Sequence, residues 1–199
     1  MSNSINEVIG STDIYLVDQI MKDRYKMTDT LLDAGCGHGR NLHWFLRNDF
    51  TIYGIDLDPT AILHLQRLHP SLAERFRQSS VEELPFENNF FSHIISSAVL
   101  HFATGTAHFH AMIAEMVRVL QPGGSLFIRM TSDVGIEDKV SPLGDGVYRI
   151  PDGSTRFLLT RSLLTDLTKR NKLSFLEPFK TVNVNDTRCM STLVLTKSV

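Results

Sequence analysis

The chain has 199 residues, enough for one domain with a substantial core. Its 42% hydrophobic and 21% charged content is ordinary for a globular protein, and a net charge of −2 gives no global field to draw nucleic acid or anionic lipid. Residues 1–128 hold 9 Lys+Arg against 14 Asp+Glu and residues 129–199 hold 11 against 8, a small tilt in opposite directions. Two cysteines, Cys36 and Cys189, are too few for a disulfide framework. The stretch Met1–Gly10 has no apolar signal core and no run reaches membrane-span length, so a cytoplasmic location is the default expectation.

Residues 1–10 read as frayed. Ser11 or Thr12 can cap a helix to about Tyr25, with Ile14, Val17, Ile20, Met21 and Tyr25 on one face. A strand at Thr30–Ala34 runs into Gly35-Cys36-Gly37-His38-Gly39, and a helical pattern follows to about Asn48. Thr51–Asp56 is a second strand ending in an acid. Asp58-Pro59 opens the next helix, with Ile62, Leu63, Leu65 and Leu68 apolar. Phe76–Ser79 is a weak third strand and Phe90–Ser96 a fourth. Thr106 caps a long helix to Leu120, and Gln121-Pro122-Gly123-Gly124 breaks it before a fifth strand at Ser125–Met130. Residues 131–158 interrupt the rhythm, with a hairpin expected around Pro151–Ser154. Thr160 caps a helix to about Asn171, and strands at Phe179–Asn185 and Met190–Lys197 pair antiparallel. Strands alternating with helices predict an α/β doubly wound sheet of seven strands, mostly parallel with an antiparallel C-terminal pair, in a single domain 1–199.

Asp33-Ala34-Gly35-Cys36-Gly37-His38-Gly39 carries the chemistry. Glycines at a strand-to-helix corner let the backbone press against a ligand at the carboxyl end of a sheet. The spacing is G-x-G-x-G, whereas the dinucleotide fingerprint places its third glycine one residue later. Asp33 suits a ligand bearing an ammonium and a sulfonium better than a pyrophosphate. This stretch resembles motif I of the class I S-adenosylmethionine (SAM) dependent methyltransferases, on a Rossmann-like fold. The resemblance covers roughly residues 12–130 and the terminal strand pair. It rests also on Ser79–Phe86, which is similar to a family loop that often reads G-D-A-E-x-L-P-F, and on the corner Arg118–Gly124. Arg40-Asn41 is similar to the tellurite-resistance branch, on a dipeptide alone.

The resemblance implies SAM as cofactor, S-adenosylhomocysteine (SAH) as product, and a site built from Asp33, Gly35, Gly37, Gly39, Asp56, Leu57, Ser80, Val81 and Ser97. Asp56 would accept both ribose hydroxyls and Leu57 would pack on the adenine. The Val81 N–H would serve a ring nitrogen. Ser80 departs from the family, which usually has an acid there, and a neutral hydroxyl should bind the adenine amine more weakly by roughly 1 kcal/mol. No Asp/Asn-Pro-Pro-Tyr/Phe tetrapeptide follows the fourth strand, which argues against methylation of DNA bases, and no acid ends that strand for metal-assisted chemistry. The histidine pairs lack metal-ligand spacing, so no metal is expected. His101 could act as a general base if it faces the acceptor; packing is an equal reading. The acceptor pocket would be walled by Tyr15, Phe102 and a substrate-side insertion at 131–158, with Arg129, Arg149 and Arg156 favouring an anionic small molecule. A monomer or weak homodimer is expected, with neither nucleic acid nor membrane as partner. Two rival readings are an NAD(P)-dependent oxidoreductase and a SAM-binding module without turnover.

Overall fold

The computed structural model describes residues 4–199, so residues 1–3 of the stretch read as frayed lie outside the described residues. Their neighbours are ordered: α1 (Ile5–Ile9) starts in a capping box in which Ser4 and Glu7 satisfy each other's backbone N–H groups. Helix α2 (Ile14–Met21) is capped by Asp13, whose Oδ1 accepts from the Tyr15 N–H, rather than by Ser11 or Thr12. It is shorter than the apolar spacing predicts. Asp23 takes a φ of 52°, the helix stops, and the phase that would align Tyr25 with Ile14 is broken. Leu16 and Gln19 face the core, while Ile14 and Met21 are exposed.

The main sheet has the order β10-β11-β5-β4-β1-β2-β3, with β9 paired to β11 as an eighth strand. Its central members are β1 (Thr30–Ala34), β2 (Thr51–Asp56), β3 (Phe76–Gln78), β4 (Phe91–Ser97) and β5 (Leu120–Ser132), all parallel. Burial on both faces explains their near-continuous apolar runs. Against β5 lie antiparallel β11 (Arg188–Lys197) and then β10 (Lys180–Val184). The added strand β9 (Leu173–Phe175) is too short to show a period in the sequence. One face is covered by α2, α3 (His43–Arg47) and α4 (Pro59–Leu68), through Leu16, Phe45, Ile62 and Leu65. The other is covered by α5 (Thr106–Val119) and α6 (Arg161–Arg170), through Phe109, Met116, Leu164 and Leu167. Of the apolar residues of α4, Leu63 and Leu68 are half or more exposed, and Ile62 and Leu65 form the buried stripe with Ala61.

Between β5 and α6 a separate antiparallel sheet forms from β6 (Ser141–Gly144), β7 (Val147–Arg149) and β8 (Thr155–Phe157). The hairpin expected around Pro151–Ser154 joins β7 to β8. This small sheet caps α5 in place of Thr106. The N-cap is Gly105, and Asp145 reaches across to accept from the Thr106 N–H at 3.1 Å. A Cβ on Gly105 would meet Asp145 Oδ2 at 2.0 Å, so a side chain there would push the Asp145 carboxylate off the helix end.

Candidate functional site

The glycine loop is wedged between strand ends. Gly35 and Cys36 both donate N–H bonds to the Ile55 carbonyl at 2.9 Å. Gly35 has a φ of 90°, and a Cβ there would strike Val99 Cγ2 at 2.2 Å. Gly39 has a φ of 85° and would strike Leu65. Both positions demand glycine on conformation and on space. Past β4, Ala98 takes a φ of 65° and donates its N–H to the Arg129 carbonyl at 2.8 Å. A strained non-glycine residue held this firmly at a strand end is a common mark of a working site.

Two cavities flank the loop and share Gly35. On its outer side, a groove of about 860 Å³ runs past Arg40, Ser97 and the α3–α4 gap. On its inner side lies a cavity of about 310 Å³ lined by Asp56, Leu57, Val81, Val99, Phe102 and Met112, among others. Asp56 is at its rim. Its Oδ2 accepts from the Gly37 N–H at 2.7 Å and its Oδ1 from the Asp58 N–H at 2.9 Å, so it braces the loop while further lone pairs stay free. Leu57, 66% exposed, lines this cavity and is free to meet a ligand there.

Asp33 is fully buried, and neither carboxylate oxygen has a hydrogen-bond partner. Burial pushes its pKa up to about 7; the Arg40 charge opposes that rise and the Asp56 charge adds to it. An acid this enclosed with no counter-charge in contact is costly to keep, and its chemistry fits a ligand that brings a cation.

The N-terminal segment is clamped to this region by Asp13, which the sequence did not single out. Its buried Oδ2 accepts from Arg129 Nη1 at 2.7 Å and from the Ser97 hydroxyl at 3.3 Å, with Arg40 Nη2 at 3.6 Å. Its backbone N–H donates to Asn41 Oδ1 at 3.0 Å. Arg40 and Asn41 thus both hold Asp13, which gives that dipeptide a physical task. Asp13 is a capping residue placed directly before an apolar helix, and that was the signal available in the sequence.

Residues 32–128 match the family described as a methyltransferase domain. The match spans just under half of the chain and includes the glycine loop and the acids that end β1 and β2. Over 98 residues the chain is 35% identical to the phthiotriol/phenolphthiotriol dimycocerosates methyltransferase of Mycobacterium leprae, an alignment covering 48% of this chain and 35% of that protein. The chain therefore aligns with about a third of that relative's length. A SAM-dependent methyltransferase structure from Methanosarcina mazei superposes with a TM-score of 0.72 at 19% identity, covering 90% of this chain and 97% of that one. The 1,6-didemethyltoxoflavin-N1-methyltransferase of Burkholderia thailandensis, solved with bound 1,6-didemethyltoxoflavin and SAH, gives a TM-score of 0.69 at 18% identity, covering 96% of this chain and 79% of that one.

Within the matched stretch and its flanks, the residues singled out from sequence separate by position. Gly35, Asp56, Leu57, Val81 and Phe102 converge on the inner cavity; Gly37, Gly39 and Ser97 line the outer groove, with Asp33 enclosed at the end of β1. Ser80 does not line the inner cavity; Ser79 and Glu82 on either side of Val81 do. Among the proposed acceptor residues, Arg129 is engaged by Asp13, and its guanidinium lies 5.2 Å from the centre of the Tyr15 ring, so both are tied into the clamp. Arg156 covers the exposed Phe102 ring at 5.1 Å, and Arg149 is exposed on β7. His101 is buried and lines neither cavity. Its Nδ1 lies 3.2 Å from the Thr131 hydroxyl, and its ring packs edge-on against Phe102. Burial, helped by Arg156 and Arg188, drives its pKa down to about 4. Glu82, His108 and Met112 are cavity residues that sequence reasoning missed; an apolar helix pattern hides the last two.

Proposed function

We propose that the chain binds SAM across the glycine loop and transfers its methyl group to a small molecule held beneath the 131–158 segment. The observation that carries the reading is Asp33, a fully buried and unpartnered carboxylate at the end of β1, two residues ahead of Gly35, which lines both cavities. The cofactor, when bound, supplies a methyl group already activated on a sulfonium. The protein's own task is then positioning and exclusion of water, where orientation alone is worth about 7–11 kcal/mol. Asp33 lines neither cavity and offers its charge to the ammonium from behind the glycine loop, and Asp56 offers lone pairs to the ribose. Leu57 and Val99 give apolar faces to the base.

Phe102 stands at the edge of the inner cavity and leads towards β7 and β8. There Arg156 and Arg149 favour an anionic acceptor such as a carboxylate. His101 serves by packing behind Phe102; its Nδ1 is occupied by Thr131, and it has no wall on the cavity through which to take a proton.

Thermal melting with added ligand tests the cofactor. SAH at 100 times its dissociation constant should stabilise the fold by about 2.7 kcal/mol, and NADH should not. A rise with NADH and none with SAH would overturn the proposal. Turnover is then followed with methyl-labelled SAM and a panel of small carboxylic acids.

A further inference from the structure

The outer groove has two ends of different chemistry. Gly35, Arg40 and Ser97 mark the end beside the glycine loop, where Arg40 is already taken up by Asp13. The other limb runs between α3 and α4 over Leu46, Leu65, Leu68 and Leu72. Leu65 is buried and Leu46 and Leu72 are half-buried, so this apolar strip is recessed, with Leu68 open upon it. On the α3 side stand His43 and Arg47, one helical turn apart. Arg47 Nη1 donates to the Glu7 carbonyl at 2.6 Å, and His43 Nε2 lies 3.1 Å from the same oxygen, so two polar tips converge on one point. A carbonyl carries no formal charge, and the Arg47 cation has no counter-charge in that contact. His38 and His69 complete the rim, and among the described residues no Asp or Glu lines the groove. In a chain of net charge −2, a leucine floor thus lies under a rim of guanidinium and imidazole groups.

We infer that the α3–α4 limb binds a single-chain carboxylate, its alkyl tail on the four leucines and its head group on Arg47 and His43. Arginine matches a carboxylate in charge and shape. A recessed strip admits one slender chain, whereas a bilayer needs apolar side chains that stand out from the surface. The limb is separate from the cavity that holds Asp56 and Phe102. The inference therefore does not depend on what lies across the glycine loop.

Calorimetric titration with octanoate, decanoate and dodecanoate below their micellar concentrations tests it, with dodecyltrimethylammonium as a cation of equal tail length. Affinity should rise about 2- to 4-fold per added methylene. The cation should bind at least about 10-fold more weakly than dodecanoate. Leu68→Glu sets a like charge on the floor and should cost about 10-fold or more. Arg47→Gln removes the charged donor and should cost about 5- to 10-fold. Both side chains are exposed, and thermal melting of each variant checks its fold. Saturating SAH should leave dodecanoate affinity within about 3-fold, as for separate sites; mutual exclusion would show that the groove serves the cofactor alone and overturn the inference. Equal binding of the cation, or variants that bind as the parent does, would reveal unspecific detergent-like association and overturn it too. Sedimentation with phosphatidylglycerol vesicles that Leu68→Glu abolishes, without binding of dodecanoate, would assign the strip to a membrane instead. If dodecanoate binds as stated and SAH does not bind, the cofactor reading falls and this one stands.

Discussion

Replacing Asp33 by asparagine should make the protein more stable and less able to bind its cofactor. The carboxyl group moves from an ordinary 3.8 to about 7 on folding, because burial disfavours the charge. Its folded form holds the proton more tightly than the unfolded chain does. Stability therefore falls as pH rises from about 4 to about 7 and is flat above that. A shift of three units corresponds to about 4 kcal/mol of penalty at pH 8. Asparagine removes the charge but keeps buried polar atoms without partners, which costs about 1–3 kcal/mol. The net gain at pH 8 is then about 1–3 kcal/mol, or a melting temperature higher by about 2–12 °C in a chain of this size. At pH 5 the folded carboxyl is already protonated, only about 1.5 kcal/mol of the penalty remains, and the gain should vanish. Loss of the charged partner should weaken SAH binding by about 10- to 100-fold, on the order of 1.5–3 kcal/mol. The assay is melting of parent and variant at pH 5 and 8, with calorimetric titration of SAH at pH 8. A variant that melts below the parent at pH 8, or that binds SAH as tightly, would refute the reasoning.

Three further predictions follow the same logic. Asp56→Ala should raise the SAH dissociation constant by one to two decades, about 1.5–3 kcal/mol, and an unchanged constant would remove the ribose assignment. Asp13→Ala should cost about 3–5 kcal/mol in denaturant unfolding, since it strands Arg129 beside a buried gap, and Asp13→Ala with Arg129→Met should recover much of it; equal losses in the single and double variants would show that the pair is not the cause. The pKa of His101 drops to about 4 on folding, from an ordinary 6.5, so the fold should lose stability as pH falls from 6.5 towards 4, by about 3 kcal/mol. His101→Gln should flatten that acid limb, and a pH–rate profile that keeps a limb near 6.5 only when His101 is present would contradict its burial.

Some of the molecule is written locally and could be read as such. Asp58-Pro59 and Thr160 open helices at the stated residues, because capping and proline geometry depend on neighbours alone. The alternation of strands and helices dictated a doubly wound sheet. Gly35 and Gly39 announced a tight corner because only glycine takes those φ values without cost. Asp56 was legible as the acid at a strand end. What stayed hidden depends on partners distant in the chain. Asp13 and Arg129 are 116 residues apart and meet only when α2 folds across the ends of β4 and β5. Asp145 caps α5 from 39 residues away, and no local pattern distinguishes it from Thr106. The end of α2 ahead of Asp23, where φ turns positive, is likewise invisible to apolar spacing. Whether His101 faces ligand or core, and whether Ser80 or Glu82 reaches the cavity, was decided by how a turn rotates its side chains. Chain order and local chemistry set which elements form; long-range burial of charge and hydrogen-bond donors set which residues those elements bring together.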